Sequence, residues 1–201
     1  MKLAIIGDVH GYHDEYLKAI EGVENSIQVG DFGFDWDVLD NVDPEHHKVV
    51  AGNHDNYAKA PEKPHYLGDF GARSLGGLDF FFVRGEFSID KHLRTPEKTW
   101  WREEELTALQ MGNVIDAYVF TKPSVVVSHG CPASIINHVS RNGLVMRPSN
   151  TSQLLQVMYE IHQPDIWIFG HHHRSLNKQI GDTWFRCLAE LEVLDFHKEY
   201  M

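Results

Sequence analysis

The chain has 201 residues, 42% of them hydrophobic and 23% charged, and carries a net charge of −11. That length suits one well-buried domain spanning residues 1–201, and the acidic balance excludes broad binding to nucleic-acid backbone, which needs a basic surface. It does not exclude an anionic substrate, because bound divalent ions make a site locally positive whatever the surface carries.

Taken in chain order, Lys2 to Ile6 reads as a short buried strand stopped by Gly7. Residues His13 to Ile20 follow as a helix with Tyr16, Leu17 and Ile20 on one face. A second strand, Ile27 to Val29, ends at Gly30, and a third, Val49 to Ala51 with its start near His47, ends at Gly52. Strand, helix and strand at these lengths form a βαβ unit, which favours parallel pairing. The Pro- and Gly-rich stretch Pro61 to Gly77 reads as irregular, and Leu78 to Val83 as a strand. Pro96 precedes an expected helix from Glu97 to Gln110 with Gly112 as its stop; Val114 to Phe120 is open between strand and irregular chain. Val125-Val126-Val127 is a buried strand ending at Ser128-His129, and Cys131 to Ser149 is expected to be a loop with a short helix. Ser152 to His162 is helical, with Pro164 blocking its continuation. Ile166 to Phe169 is a core strand ended by Gly170. Leu176–Ile180 and Thr183–Leu188 form a hairpin around Gly181-Asp182, and Leu191 to Phe196 is a last strand.

Apolar runs are all too short to cross a membrane. The first strand starts almost at Met1, which leaves no space for a secretion signal. Cys131 and Cys187 are read as free thiols of a reducing compartment, so a cytoplasmic location is expected.

Five of the strands end in segments that carry metal-binding chemistry: Gly7-Asp8-Val9-His10-Gly11, Gly30-Asp31, Gly52-Asn53-His54-Asp55, Ser128-His129-Gly130 and Gly170-His171-His172-His173. The carboxyl edge of an open α/β sheet is where ligands bind. Asp8 and His10 offer a hard oxygen and an imidazole, a pair that suits Mn, Fe or Zn better than Ca. The two oxygens of Asp31 can bridge two ions. Asn53 supplies a neutral oxygen where anions crowd, His54 can donate a proton, and Asp55 can orient the His54 ring or tune its pKa. His129 alone is a weak signal; His171 and His173, two apart, are a moderate one. Any one segment has an ordinary explanation as a loop. All five in one chain form a spaced ligand set, which is a strong signal.

In order, D-x-H, G-D, G-N-H-D, G-H and G-H-x-H resemble the calcineurin-like metallophosphoesterase superfamily, in its small bacterial and phage form. That resemblance implies a four-layer α/β/β/α sandwich with two mixed sheets. It implies two divalent ions, Mn foremost, with Fe, Zn or a mixed pair as alternatives. Asp8, His10, Asp31 and His173 would hold the first ion, and Asp31, Asn53, His129 and His171 the second. His54 would be the general acid. The implied activity is hydrolysis of phosphomonoesters or phosphodiesters by a hydroxide held between the ions, with nucleotide-like diesters slightly favoured. Protein Ser/Thr phosphatases share the opening motif, but their Asp-Arg-Gly block is replaced here by Asp31-Phe32-Gly33-Phe34-Asp35. A protein phosphatase is therefore a lesser alternative, as is a non-catalytic protein-contact module on the same scaffold. Arg84 and Arg94 are candidate phosphate clamps, with Arg174 behind them. Trp100, Trp101 and Cys131 are read as core, and His172 is given no role.

Overall fold

Period-two alternation along short strands builds this protein's core in three apolar layers. The structure is a computed structural model that describes residues 3–140 and 148–200. Lys2 and residues 141–147 of the expected Cys131–Ser149 connection lie outside the described residues.

The first sheet has the order β10-β1-β2-β3, from β1 (Leu3–Ile6), β2 (Asn25–Gln28), β3 (His47–Val49) and β10 (Val193–Asp195). Its first three strands are parallel, with β10 antiparallel on the edge. The second has the order β4-β5-β6-β7-β9-β8. It contains β4 (Phe70–Leu75), β5 (Leu78–Val83), β6 (Val125–Ser128), β7 (Ile166–Phe169), β8 (Leu176–Ile180) and β9 (Thr183–Cys187). Strands β5, β6, β7 and β9 run parallel, and β4 and β8 close the edges as antiparallel hairpin partners.

Alternate residues of one strand serve different layers. Leu3, Ile5 and Ile27 of the first sheet meet Phe80, Phe82, Val125, Val127 and Ile168 of the second, filling the space between the sheets. The opposite face of the second sheet, with Phe81, Val126, Trp167 and Phe169, packs against Val114 and Tyr118 of α2 (Ala108–Thr121) and Leu155 and Met158 of α4 (Asn150–Ile161). The outer face of the first sheet, with Ile6 and Val49, packs against Tyr16 and Ile20 of α1 (His13–Ile20) and the Phe32/Trp36 rings. The result is the α/β/β/α layering expected from the sequence. Leu17, expected on the buried face of α1, is 37% exposed.

The second strand starts at Asn25 rather than Ile27, Val114–Phe120 is helical rather than strand or irregular chain, and three larger differences from the sequence reading stand out. The helix expected over Glu97–Gln110 lies instead at Ala108–Thr121, straight through Gly112. Thr107 starts it with a capping box, accepting from the Gln110 amide while the Gln110 side chain accepts from the Thr107 N–H. Lys122, in the left-handed conformation, ends it before Pro123. Part of the supposedly irregular Pro61–Gly77 stretch is the edge strand β4, paired along its whole length with β5. The expected last strand is cut short at Asp195, where α5 (Phe196–Tyr200) begins. Between Cys131 and Ser140 the short helix α3 (Ile136–Val139) is present. No described helix is long and apolar enough to cross a membrane.

Candidate metal centre

Parallel register sets the carboxyl ends of β1, β2 and β3 side by side, and likewise those of β6 and β7. The loops leaving these ends meet at the rim between the two sheets. Asp8, His10, Asp31 and His173 offer ligand atoms that all lie within 4.8 Å of one another, as do those of Asp31, His129 and His171. Asn53 joins the second group: its Oδ1 is 3.0 Å from His129 Nε2 and 2.9 Å from His171 Nδ1. Asp31 belongs to both groups and splits its oxygens between them. Oδ1 lies 3.2 Å from His129 Nε2, and Oδ2 lies 3.5 Å from His10 Nε2.

Local backbone geometry serves this convergence. His10, Asp31, His171 and His173 all have positive φ, between 49° and 64°, a conformation that costs non-glycine residues energy and clusters at functional sites. Two glycines are required by close approach. A Cβ on Gly170 would collide with the Asp8 carboxylate, and one on Gly52 with both Asp31 and the His129 ring. The Asp8 carboxylate accepts the His171 amide N–H at 3.0 Å, tying the loop after β7 to the loop after β1.

The donor set fits divalent cations. His129 Nδ1 lies 2.9 Å from the Val29 carbonyl, an acceptor, so Nδ1 carries the proton and the Nε2 lone pair points inward. It faces Asn53 Oδ1 and Asp31 Oδ1, which are also acceptors. In the other group the Nε2 atoms of His10 and His173 face each other at 2.9 Å, beside the carboxylates of Asp8 and Asp31. Buried lone pairs converging in this way call for cations, and mixed imidazole, carboxylate and amide oxygen donors suit first-row metals. The electrostatics agree. Burial opposes a charged His129, but the adjacent Asp31 carboxylate outweighs it and pushes the ring's pKa up. Asp31 is held far below the usual carboxylate range, against its own burial, by His129, His54 and His10. Burial opposes a charged His10 as well, and the bond to Asp8 and the charge of Asp31 turn the net shift upward. His171, buried among other histidines, is lowered.

His54 lies beside the first group, its ring edge-on to His10 at 4.9 Å between centroids. Its amide N–H donates to Asp31 Oδ1 at 2.7 Å. Arg94 approaches both ring nitrogens, Nδ1 at 3.0 Å, and is itself held by Asp90 at 2.8 Å. Burial lowers the His54 pKa, Asp31 opposes this, and the Arg94 charge adds to the lowering.

Asp55 does not reach the His54 ring, contrary to the sequence expectation. Its carboxylate accepts from Gly33 N at 2.9 Å and Gly52 N at 2.6 Å, stapling the loops after β2 and β3. Sequence neighbours in a tight turn point in different directions, and this one points into the core. Arg84 is not brought to the cluster as a free cation either. Its guanidinium binds Asp69 and the Glu103 carbonyl and lies over the Tyr57 ring. Arg174 donates to the Ser140 carbonyl. His172 turns away from the ligand atoms toward Cys131 Sγ at 3.3 Å. Trp101 is buried against Phe34.

Several polar residues at the site carried no sequence signal. Glu190 lies 3.1 Å from His173 Nδ1. Glu86, buried behind Gly130, is pushed up to about 7 by burial, against hydrogen bonds from Ser149 and the Phe87 amide. Ser88 and Glu104 stand behind Asn53. None has a spacing that distinguishes it from a surface carboxylate or a loop serine.

The sequence model of the calcineurin-like phosphoesterases matches residues 1–175. A comparison with curated proteins returns no match. Among solved structures, a protein of Thermus thermophilus superposes with a TM-score of 0.54 at 16% identity, covering 98% of this chain and 96% of its own. A dimetal phosphatase of Danio rerio gives 0.54 at 13% identity, covering 94% and 87%. The phosphopantetheinyl hydrolase of Mycobacterium tuberculosis gives 0.51 at 14%, covering 100% and 93%. At these identities the likeness is one of fold.

Proposed function

The chain belongs to the calcineurin-like phosphoesterases, metal-dependent hydrolases of phosphoric esters, and from that premise we propose that it hydrolyses phosphate esters with two divalent ions held at the rim between its sheets. One observation carries the reading: Asp31 divides its two oxygens between two ligand groups that are otherwise separate. Asp8, His10, Asp31 and His173 would hold one ion, and Asp31, Asn53, His129 and His171 the other. Manganese is the first choice for this donor set, with iron, zinc or a mixed pair as alternatives. Such a pair supplies Lewis acidity to phosphoryl oxygens and acidifies water between the ions.

The chain's own groups do the rest. Arg94 lies beside His54 and donates to the Asn53 and Thr99 carbonyls, and it would exchange some of these bonds to clamp phosphoryl oxygens. A bound phosphate there would also offset the Arg94 charge and favour a protonated His54. His54 then donates its proton to the departing ester oxygen. Phe34, 38% exposed, lies in the loop that carries Asp31, its ring 5.6 Å from that of Trp101 and its carbonyl accepting from Asn56 Nδ2. An exposed aromatic ring here would suit esters with a flat leaving group, so nucleotide-like diesters are slightly favoured over simple monoesters.

The test is chelation followed by repletion. EDTA-treated protein should bind two Mn2+ per chain and regain turnover of p-nitrophenyl phosphate and bis(p-nitrophenyl) phosphate. Fewer than two ions per chain, or no turnover at full occupancy, would reject the reading.

A further inference from the structure

A metal ligand that is an amide has two ends, and only one binds a cation. Asn53 must present Oδ1 and not Nδ2. Nothing in the Gly52-Asn53-His54-Asp55 segment enforces that choice, since both ends of a side-chain amide are nearly the same size. The enforcing groups come from elsewhere in the chain. Ser88, in the loop after β5, is fully buried, and Glu104, just before α2, is 1% exposed. Both oxygens of Glu104 accept from Ser88, the backbone N–H at 3.1 Å and the hydroxyl at 2.6 Å. A hydroxyl has one proton, and here it is spent on the carboxylate. The Ser88 oxygen is therefore left as an acceptor, and Asn53 Nδ2 donates to it at 3.2 Å. With the NH2 end fixed on Ser88, Oδ1 is the end that faces His129 and His171.

We propose that Glu104 and Ser88 are positioning residues that polarise and orient the Asn53 amide, and thereby set the affinity of the ion held by Asp31, Asn53, His129 and His171. The inference rests on the two-ion reading above. Outer partners of metal ligands change affinity by about 10–100-fold when removed. Only the second group contains Asn53, so the effect is confined to one of two ions.

The experiment is calorimetric titration of Mn2+ alone into the EDTA-treated full chain, with elemental analysis of the product. Glu104→Gln keeps size but turns one acceptor into a donor aimed at Ser88; Ser88→Ala removes the relay atom. Each should weaken one ion about 10–100-fold and leave the other unchanged, whereas Ser88→Thr, which keeps the hydroxyl, should bind both ions as the wild type does. Unchanged binding of both ions in Glu104→Gln overturns the proposal. So does parallel weakening of both ions with a lowered melting temperature, since that marks general loosening. If Ser88→Ala does not fold, the near-isosteric Glu104→Gln decides alone. Wild-type protein that takes up fewer than two ions overturns the two-ion reading itself, and this inference with it; a wild type with two sites and indifferent variants overturns only the relay.

Discussion

His54 differs from His10 and His129 because its ring faces a cation, Arg94, while theirs face the Asp31 carboxylate. A ligand imidazole needs an inward lone pair; a proton donor needs access to the substrate and a charge that comes and goes. Replacing His54 with alanine should therefore leave both ions bound. Turnover of alkyl phosphate esters, whose oxyanions need a proton, should fall by roughly 10²–10⁴-fold, and turnover of p-nitrophenyl esters much less. Equal losses on both substrates at full metal occupancy would remove the proton-donor role. The histidines of the site were legible because each lies within three residues of the glycine or serine that ends an apolar run. The role of Asp55 was not, because sequence adjacency says nothing about direction in a turn. Glu104, Ser88 and Glu190 reach the site only by folding, and no local pattern marks them.

At the scale of elements, the short strands were legible because runs such as Val125-Val126-Val127 and Ile166–Phe169 have few other readings. The sequence places α2 too early because Gly112 reads as a stop, whereas the helix runs through it. A glycine weakens a helix but does not end one when tertiary packing on both sides rewards continuation. Val114 and Tyr118, beyond Gly112, are both fully buried against the second sheet. The true boundary was written in Thr107 and Gln110, a capping box that sits away from any apolar run. Gly112 is exposed, and a Cβ there meets no atom within 4 Å. Gly112→Ala should then stabilise the protein by roughly 0.5–1 kcal/mol through helix propensity and a less flexible unfolded chain. Thermal denaturation should show a rise of a few degrees with unchanged hydrolysis. A fall in melting temperature would mean that the helix is interrupted at this residue.

For the molecule as a whole, the cluster is also a joint between sheets. Asp8, His10, Asp31 and Asn53 leave the first sheet, and His129, His171 and His173 leave the second. Each proposed ion would thus take ligands from both. Among the described residues, polar links across the joint include His129 Nδ1 to the Val29 carbonyl and the His171 amide to Asp8. Without cations, the buried Asp8 and Asp31 carboxylates are offset by the amide N–H groups of His171 and His54 and by protons on His129 and His10. Ions that bind the folded chain and not the unfolded one stabilise it by mass action, about 4 kcal/mol for one site at 1,000 times its Kd. In a chain of this size that corresponds to roughly 8–16 °C in melting temperature. Calorimetric melting in EDTA, compared with saturating Mn2+, should show at least that difference, with one cooperative transition in both states because the inter-sheet apolar layer persists without metal. A midpoint indifferent to chelation would mean that the rim residues gather for a reason other than cations. Two separated transitions in EDTA would mean that the ions, rather than the layer of Ile5, Phe82, Val127 and Ile168, hold the two sheets together.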